Sequence, residues 1–289
     1  MQQLLASLIK SKRKVLGLSQ KELADGICTQ TVISKIEKAA LTPSVDIFFK
    51  LINKLNIPMD EVATLYSVSQ EKKESIYSDN IRNILYKREF STIDIIIKTI
   101  SPNSLNGDDV YYYKWLKAVV IFHCDGNKKL AQKLLSEIIS SAEKDSPPYL
   151  TAIYSKGTFY DDMEEFDKSK KYLEYLEDKY HLFKHTDDRL KFYLAIGRLY
   201  VRTNNIDKAS IYSSRALEEI LENKSIKYLG SSYFLQYSVY TSLGLYHRAL
   251  DSIQKALTLF EIENNELLKN LALSAISYVK EKIKNEEIS

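Results

Sequence analysis

Residues 18–37 read Leu18-Ser19-Gln20-Lys21-Glu22-Leu23-Ala24-Asp25-Gly26-Ile27-Cys28-Thr29-Gln30-Thr31-Val32-Ile33-Ser34-Lys35-Ile36-Glu37, and that run spells two short helices joined by a tight turn. Ser19 and Glu22 form a capping box, in which each side chain satisfies an orphan N–H at the start of a helix. Ala24 is small where two crossing helices approach closely, and Gly26 breaks the first of them. Thr29 can cap the next, which runs through Ile33, Ile36 and Lys38. This is helix-turn-helix spacing.

The pattern extends on both sides. Upstream, Leu4, Leu5, Leu8, Ile9 and Leu16 recur at helical spacing, and Gly17 stands where a helix C-terminus takes a left-handed residue. Downstream, Pro43-Ser44 opens a helix carrying Val45, Phe48, Leu51, Ile52 and Leu55, and Pro58 opens another with Val62 and Leu65. The spacing therefore predicts a five-helix domain over residues 1–66, followed by a linker or the start of a linker helix over 67–75 and a helical-repeat domain over 76–289.

Composition fits an all-α fold. The 289 residues are 45% apolar and 27% charged, as in ordinary globular proteins, and 8 Gly with 5 Pro are too few for the turns of a β-rich chain. No run approaches the roughly 18 apolar residues of a membrane span, and the N-terminus lacks a signal peptide's apolar stretch, so a cytoplasmic location is expected. Cys28 and Cys124 are too far apart in sequence to form a CxxC pair. No phosphate loop, HExxH or GxSxG is present, and the His181/His185 pair has no third ligand nearby, so no catalytic, metal or cofactor site is expected. The net charge of +3 is concentrated at one end. Residues 1–66 hold nine Lys or Arg against six Asp or Glu, which is 9 − 6 = +3, and the remainder balances at 32 against 32. A basic excess there is the electrostatic footprint of phosphate binding.

Leu18-Ser19-Gln20, Glu22-Leu23-Ala24, Ile33-Ser34-Lys35-Ile36-Glu37 and Pro43-Ser44 together resemble the phage-repressor-type (Xre/Cro-like) helix-turn-helix, over residues 5–66. Three departures stand out: Cys28 replaces the usual turn glycine, the turn is one residue short, and Ala39-Ala40 stands where glycine is common. The shortened turn Ile27-Cys28-Thr29-Gln30, joined to helical repeats, is similar to the PlcR-type, Rgg-like family of peptide-pheromone-sensing regulators. In such a module the first turn of the third helix enters the major groove. Gln30 and Thr31 then face base edges with Ser34 beside them, Thr29 caps the helix, and Gln20, Lys35 and Lys38 approach the backbone phosphates. One module reads one half-site, so a homodimer on a palindromic double-stranded operator is expected.

The rest of the chain repeats. Gly126-x4-Ala131, Asn204-x4-Ala209 and Gly244-x4-Ala249 share one turn pattern, with Ser169 at the matching place between the first two. Phe122, Tyr160, Tyr200 and Tyr240 align in the same frame, as do Val119, Gly157, Gly197 and Tyr237. These registers resemble lengthened tetratricopeptide repeats, with units near 112–149, 150–189, 190–229 and 230–269 and a capping helix over 265–285. The resemblance implies a right-handed solenoid whose first helices line a concave surface, a cradle for a short signalling peptide. Tyr154, Thr158, Asp161, Lys191, Arg198, Arg202, Phe234, Gln236, Ser238 and Thr241 fall on that face, and Arg198 with Arg202 could hold a peptide carboxylate. The function expected is a transcriptional regulator whose DNA binding or dimer geometry responds to a peptide. The alternatives left open are a helical-repeat scaffold or adaptor and a repressor without a ligand.

Overall fold

A computed structural model describes residues 2–70, 75–224 and 226–288. Among the described residues there are only helices, turns and bends. They form two compact units, residues 1–134 and 135–289.

The first unit opens with α1 (Gln2–Val15), α2 (Gln20–Ala24), α3 (Gln30–Glu37), α4 (Val45–Lys54) and α5 (Met59–Gln70). Three of these starts are set by a side-chain cap: the Ser19 box for α2, Thr29 for α3 and Ser44 for α4. Leu4, Leu8, Ile9, Leu23, Ile33, Ile36, Leu51, Ile52 and Leu65 fill the core between them. Of the linker expected over 67–75, the first part belongs to α5, and residues 71–74 lie outside the described residues. Then come α6 (Asp79–Tyr86), α7 (Phe90–Thr99) and α8 (Asp109–His123), and α9 (Lys128–Ser141) follows. α1 packs on α7. The chain entering α6 is tied down where Asp109 Oδ1 accepts from the Ile76 amide at 2.8 Å and the Ser75 hydroxyl at 2.9 Å. Beside it, Tyr77 lies against Tyr112 and Trp115, with the Arg82 guanidinium 3.8 Å over its ring.

The second unit pairs α10 (Pro147–Asp162) with α11 (Phe166–Tyr175), α12 (Thr186–Arg202) with α13 (Ile206–Glu222), and α14 (Leu229–Ser242) with α15 (Tyr246–Ile262). It ends in α16 (Glu266–Ile288), packed on α15. The repeat register has a backbone cause. Arg88, Gly126, Glu164, Asn204 and Gly244 all take left-handed φ, between 55° and 75°, at intervals of 38, 38, 40 and 40 residues. At four of these turns the next residue's amide reaches back five positions: Glu89 to Ile84, Glu165 to Tyr160, Asn205 to Tyr200 and Leu245 to Tyr240, at 2.8–3.1 Å. This is the Schellman closure, and it places α6–α7 in the same register as the later pairs.

Small residues then let helices close, within a pair at Gly157 of α10 and between successive pairs at Gly197 of α12. A Cβ on Gly157 would lie 2.8 Å from Leu173 Cδ2, and one on Gly197 would lie 2.6 Å from Leu235 Cδ2. The extra length of the unit ending near residue 189 is a 3-10 turn at Tyr180–Leu182. Its ring stacks parallel to Phe192, and Arg189 holds the Phe183 carbonyl at 2.8 Å while pairing with Glu219 at 2.6 Å. Of the repeated tyrosines Tyr200 is a core residue with an anchored hydroxyl: it donates to Glu177 at 2.7 Å, and Tyr212 of α13 donates to the same oxygen at 3.0 Å. Burial and the carboxylate push both phenols well above their ordinary pKa.

Candidate functional sites: the α3 face and the A-helix face

The outer face of α3 is built from the inside outward. Ile33 and Ile36 point into the core, and Glu37, one position on, is buried with them. Its carboxylate is held by Arg13 of α1, with Nε to Oε1 at 2.5 Å and the terminal nitrogen to Oε2 at 2.9 Å. The other Arg13 nitrogen donates to the Leu18 carbonyl at 2.7 Å, and Gln20 of α2 donates its amide to Glu37 Oε2 at 2.8 Å. One carboxylate thus binds α1, α2 and α3 together. Burial pushes the Glu37 pKa up, but hydrogen bonds from Arg13 and Gln20, with the Arg13 charge, outweigh it and hold the acid below its usual range.

With the inner face locked, the opposite face of α3 is free. Gln30, Thr31, Lys35 and Lys38 are exposed and Ser34 is half-buried. These positions lie within one broad helical face turned away from Ile33 and Ile36. The Thr29 hydroxyl is used as the cap, accepting from the Val32 amide at 3.4 Å. Gln20 sits at the start of α2, its amide committed to Glu37. Lys10, Lys14, Lys21, Lys35 and Lys38 make no ion pair among the described residues. By contrast Lys12 pairs with Glu61, Lys50 with Asp46, and Lys54 caps the Glu22 and Asp25 carbonyls at the end of α2.

Two of the three departures from the repressor pattern resolve locally. The left-handed turn residue is Gly26, at φ 73°, so Cys28 occupies ordinary backbone; burial raises its thiol pKa. Ala39 adopts φ 54°, the conformation that glycine would supply, and the Ala40 amide closes on the Lys35 carbonyl at 2.8 Å. That fixes the end of α3 at Glu37, with Lys38 as its C-cap.

In the repeats, the expected ligand face divides. Tyr154, Asp161, Lys191, Arg198 and Arg202 come together across α10 and α12. Asp161 is fully buried and faces Arg198 at 2.6 Å and Arg202 at 3.1 Å, while Asp162 pairs with Arg198 at 3.1 Å. Burial opposes the Arg198 charge, but Asp161 and Asp162 overcome it and raise its pKa. The Tyr154 hydroxyl reaches the Lys191 carbonyl at 3.4 Å, and the Lys191 ammonium lies 3.4 Å from Asp188. Thr158 and Ser238 turn their hydroxyls back to the Ser155 and Phe234 carbonyls of their own helices. Phe234 meets Tyr237 edge-on at 5.4 Å, Thr241 is half-buried, and the Gln236 amide oxygen accepts from Ser252 of α15 at 3.0 Å.

Arg13 and Glu37 are the functional pair that the sequence reading missed. They lie 24 residues apart, and Arg13 counted only as one cation among the nine of residues 1–66. The available signal was phase: a glutamate directly after Ile36 and four after Ile33 falls on the apolar face of α3 and needs a buried partner there. In the first unit, His123 stacks on Phe90 at 4.0 Å and Val120 is buried, so both serve packing.

The comparisons agree with this architecture. The helix-turn-helix family matches residues 9–62 and the tetratricopeptide-repeat family matches residues 190–221. The first match falls on α1–α5 and the second on α12 and α13. Among solved structures it is similar to Bacillus thuringiensis PlcR in complex with the peptide PapR7 and DNA, at 18% identity and TM-score 0.60, over 94% of this chain and 99% of that one. It is also similar to PlcR in its apo form, at 14% identity and TM-score 0.55, over 93% and 98% of the two chains. ComR from S. thermophilus, in complex with DNA and its signalling peptide, matches at 15% identity and TM-score 0.50, over 96% and 99%. At these identities the likeness is one of fold. No curated protein matches the chain by sequence. Among the described residues no helix is long and apolar enough to cross a membrane.

Proposed function

We propose that this protein is a sequence-specific transcriptional regulator that binds a palindromic operator as a homodimer in the cytoplasm, and whose repeats bind a short signalling peptide. The observation that carries the reading is the contrast between the two faces of α3. Its inner face is locked by Glu37, Arg13 and Gln20, while Gln30, Thr31, Lys35 and Lys38 stand exposed on the outer one. A helix held rigidly from behind can insert its first turn into a major groove at little entropic cost. Gln30 can bond adenine in two places, and Lys35 and Lys38 supply charge for phosphate.

For the peptide, the supporting features are the aromatic Tyr154 and Phe234 and the outward edges of Arg198 and Arg202. Asp161 and Asp162 hold the two guanidiniums at a fixed spacing, and their remaining N–H edges could meet a ligand carboxylate. The peptide acts by binding one arrangement of the two DNA-reading modules more tightly than another. The test is a band-shift assay on the protein's own upstream DNA, with and without peptide extract from dense host culture. A peptide-dependent shift supports the whole reading, and peptide-independent binding removes the ligand. No binding to any host promoter fragment overturns the regulator and leaves a helical-repeat adaptor.

A further inference from the structure

In the repeat frame, the place just before Val119, Gly157, Gly197 and Tyr237 is a core place. It holds Ala118 and Ile196, both fully buried, and Gln236, whose amide oxygen accepts from Ser252. The remaining member of the set is Lys156, and it is only 7% exposed. Burying an ammonium is costly unless an anion faces it. Elsewhere the protein meets that need with a carboxylate: Arg13 has Glu37, Arg189 has Glu219, Arg198 has Asp161 and Lys227 has Asp187. Lys156 makes no ion pair among the described residues. Its ammonium crosses from α10 to α9, where it donates to the hydroxyl of the exposed Ser136, and it lies 5.4 Å from the Tyr172 ring of α11. Lys171, next to Tyr172, is exposed and also makes no ion pair among the described residues. Burial, and then the Lys171 charge, hold the Lys156 pKa below its ordinary value. Of the acids nearby in sequence, Glu174 pairs with Lys170 at 3.8 Å and accepts from Tyr200, while Asp167 and Glu137 pair with neither lysine.

We propose that this seam between α9 and α11 is a binding site for a dianionic oxyanion of the hydrogen-phosphate class. Two ammoniums that lack a counter-charge are balanced by one ligand carrying two. Lysine offers such a ligand a compact point charge with three donors, and the Ser136 hydroxyl adds a further polar partner. The site is separate from the expected peptide face: Lys156 is two positions from both Tyr154 and Thr158, so it projects from the opposite side of α10. A bound dianion neutralises the pair, bridges α9 to α11 and stabilises the repeats by mass action.

The experiment needs neither DNA nor peptide, so its outcome is separate from the regulatory reading. The full chain is titrated with sodium phosphate in a calorimeter at about pH 8, where the dianion dominates, with ionic strength held constant by chloride. The parent is expected to bind phosphate saturably. Lys156→Met, which fills the core place with an apolar side chain, is expected to lose that binding. Lys171 is exposed, so Lys171→Ala tests the site without touching the core and is expected to weaken binding at least about tenfold. In thermal unfolding, phosphate should raise the melting temperature of the parent above its value in chloride and leave Lys156→Met unmoved. No saturable binding by the parent, an affinity unchanged in both variants, or acetate bound as tightly as phosphate would overturn the site.

Discussion

The helix-turn-helix module and the repeats each bury a carboxylate against arginine, and they do it in opposite ways. Glu37 is enclosed: Arg13 grips it with two nitrogens, spends a third on the Leu18 carbonyl, and Gln20 completes the shell. Asp161 is equally buried, but its arginines reach it from outside, and the Arg198 and Arg202 side chains remain more than a third exposed. The closed arrangement fixes α1, α2 and α3 as one rigid unit. The open one holds two cations at a set spacing while leaving them able to meet a ligand.

The largest expected effect comes from opening the closed clamp. Glu37→Ala strands a desolvated Arg13 and should cost about 3–5 kcal/mol of stability, read as a fall in the urea midpoint at neutral pH together with loss of DNA binding. The same carboxylate sets an acid limit. Its folded pKa is depressed, so its stabilisation is fully present above the unfolded value of about 4.3 and fades as pH drops through the lower folded value. The difference between parent and Glu37→Ala should accordingly shrink in unfolding curves measured below about pH 4. A penalty that stayed constant with pH would mean that packing, not charge, holds α3.

Arg198→Ala opens the other arrangement and should cost less, about 1–2 kcal/mol, because Arg202 still faces Asp161. Here the telling readout is divided: peptide response weakens in calorimetry while operator affinity is kept. Next, Ala39→Gly should raise stability by about 0.5–1 kcal/mol, since glycine takes the left-handed conformation without a Cβ penalty. A lower melting temperature would show that Ala39 contributes packing that outweighs its backbone. Smallest in stability is Lys35→Ala, exposed and without an ion pair: thermal unfolding should not move, while the slope of log affinity against log salt falls by about 1.

The difference between the regions also explains what could be read in the sequence. Capping and turn chemistry act over four or five residues, so the Ser19 box, the Thr29 and Ser44 caps and the break at Gly26 were legible directly. The repeat frame was legible at Gly126, Asn204 and Gly244, whose residue types favour left-handed backbone. It was obscure at Arg88 and Glu164, which take the same conformation against their preference. Side-chain partnerships across helices were the hidden part. Nothing local tells Gln236 to bond Ser252, Gln20 to bond Glu37, or Asp161 to share two arginines. Helical phase places a residue on a face, but two faces of α14 lie within reach of different neighbours, and only packing decides between them.

The matched turns at Asn204 and Gly244 make the intervening forty residues a transferable cassette. Both turns leave the helix through the same six-residue backbone closure, so residues 205–244 begin and end in equivalent geometry and could be duplicated or excised without designing a new junction. Lengthening the array this way would add one helix pair in the existing register.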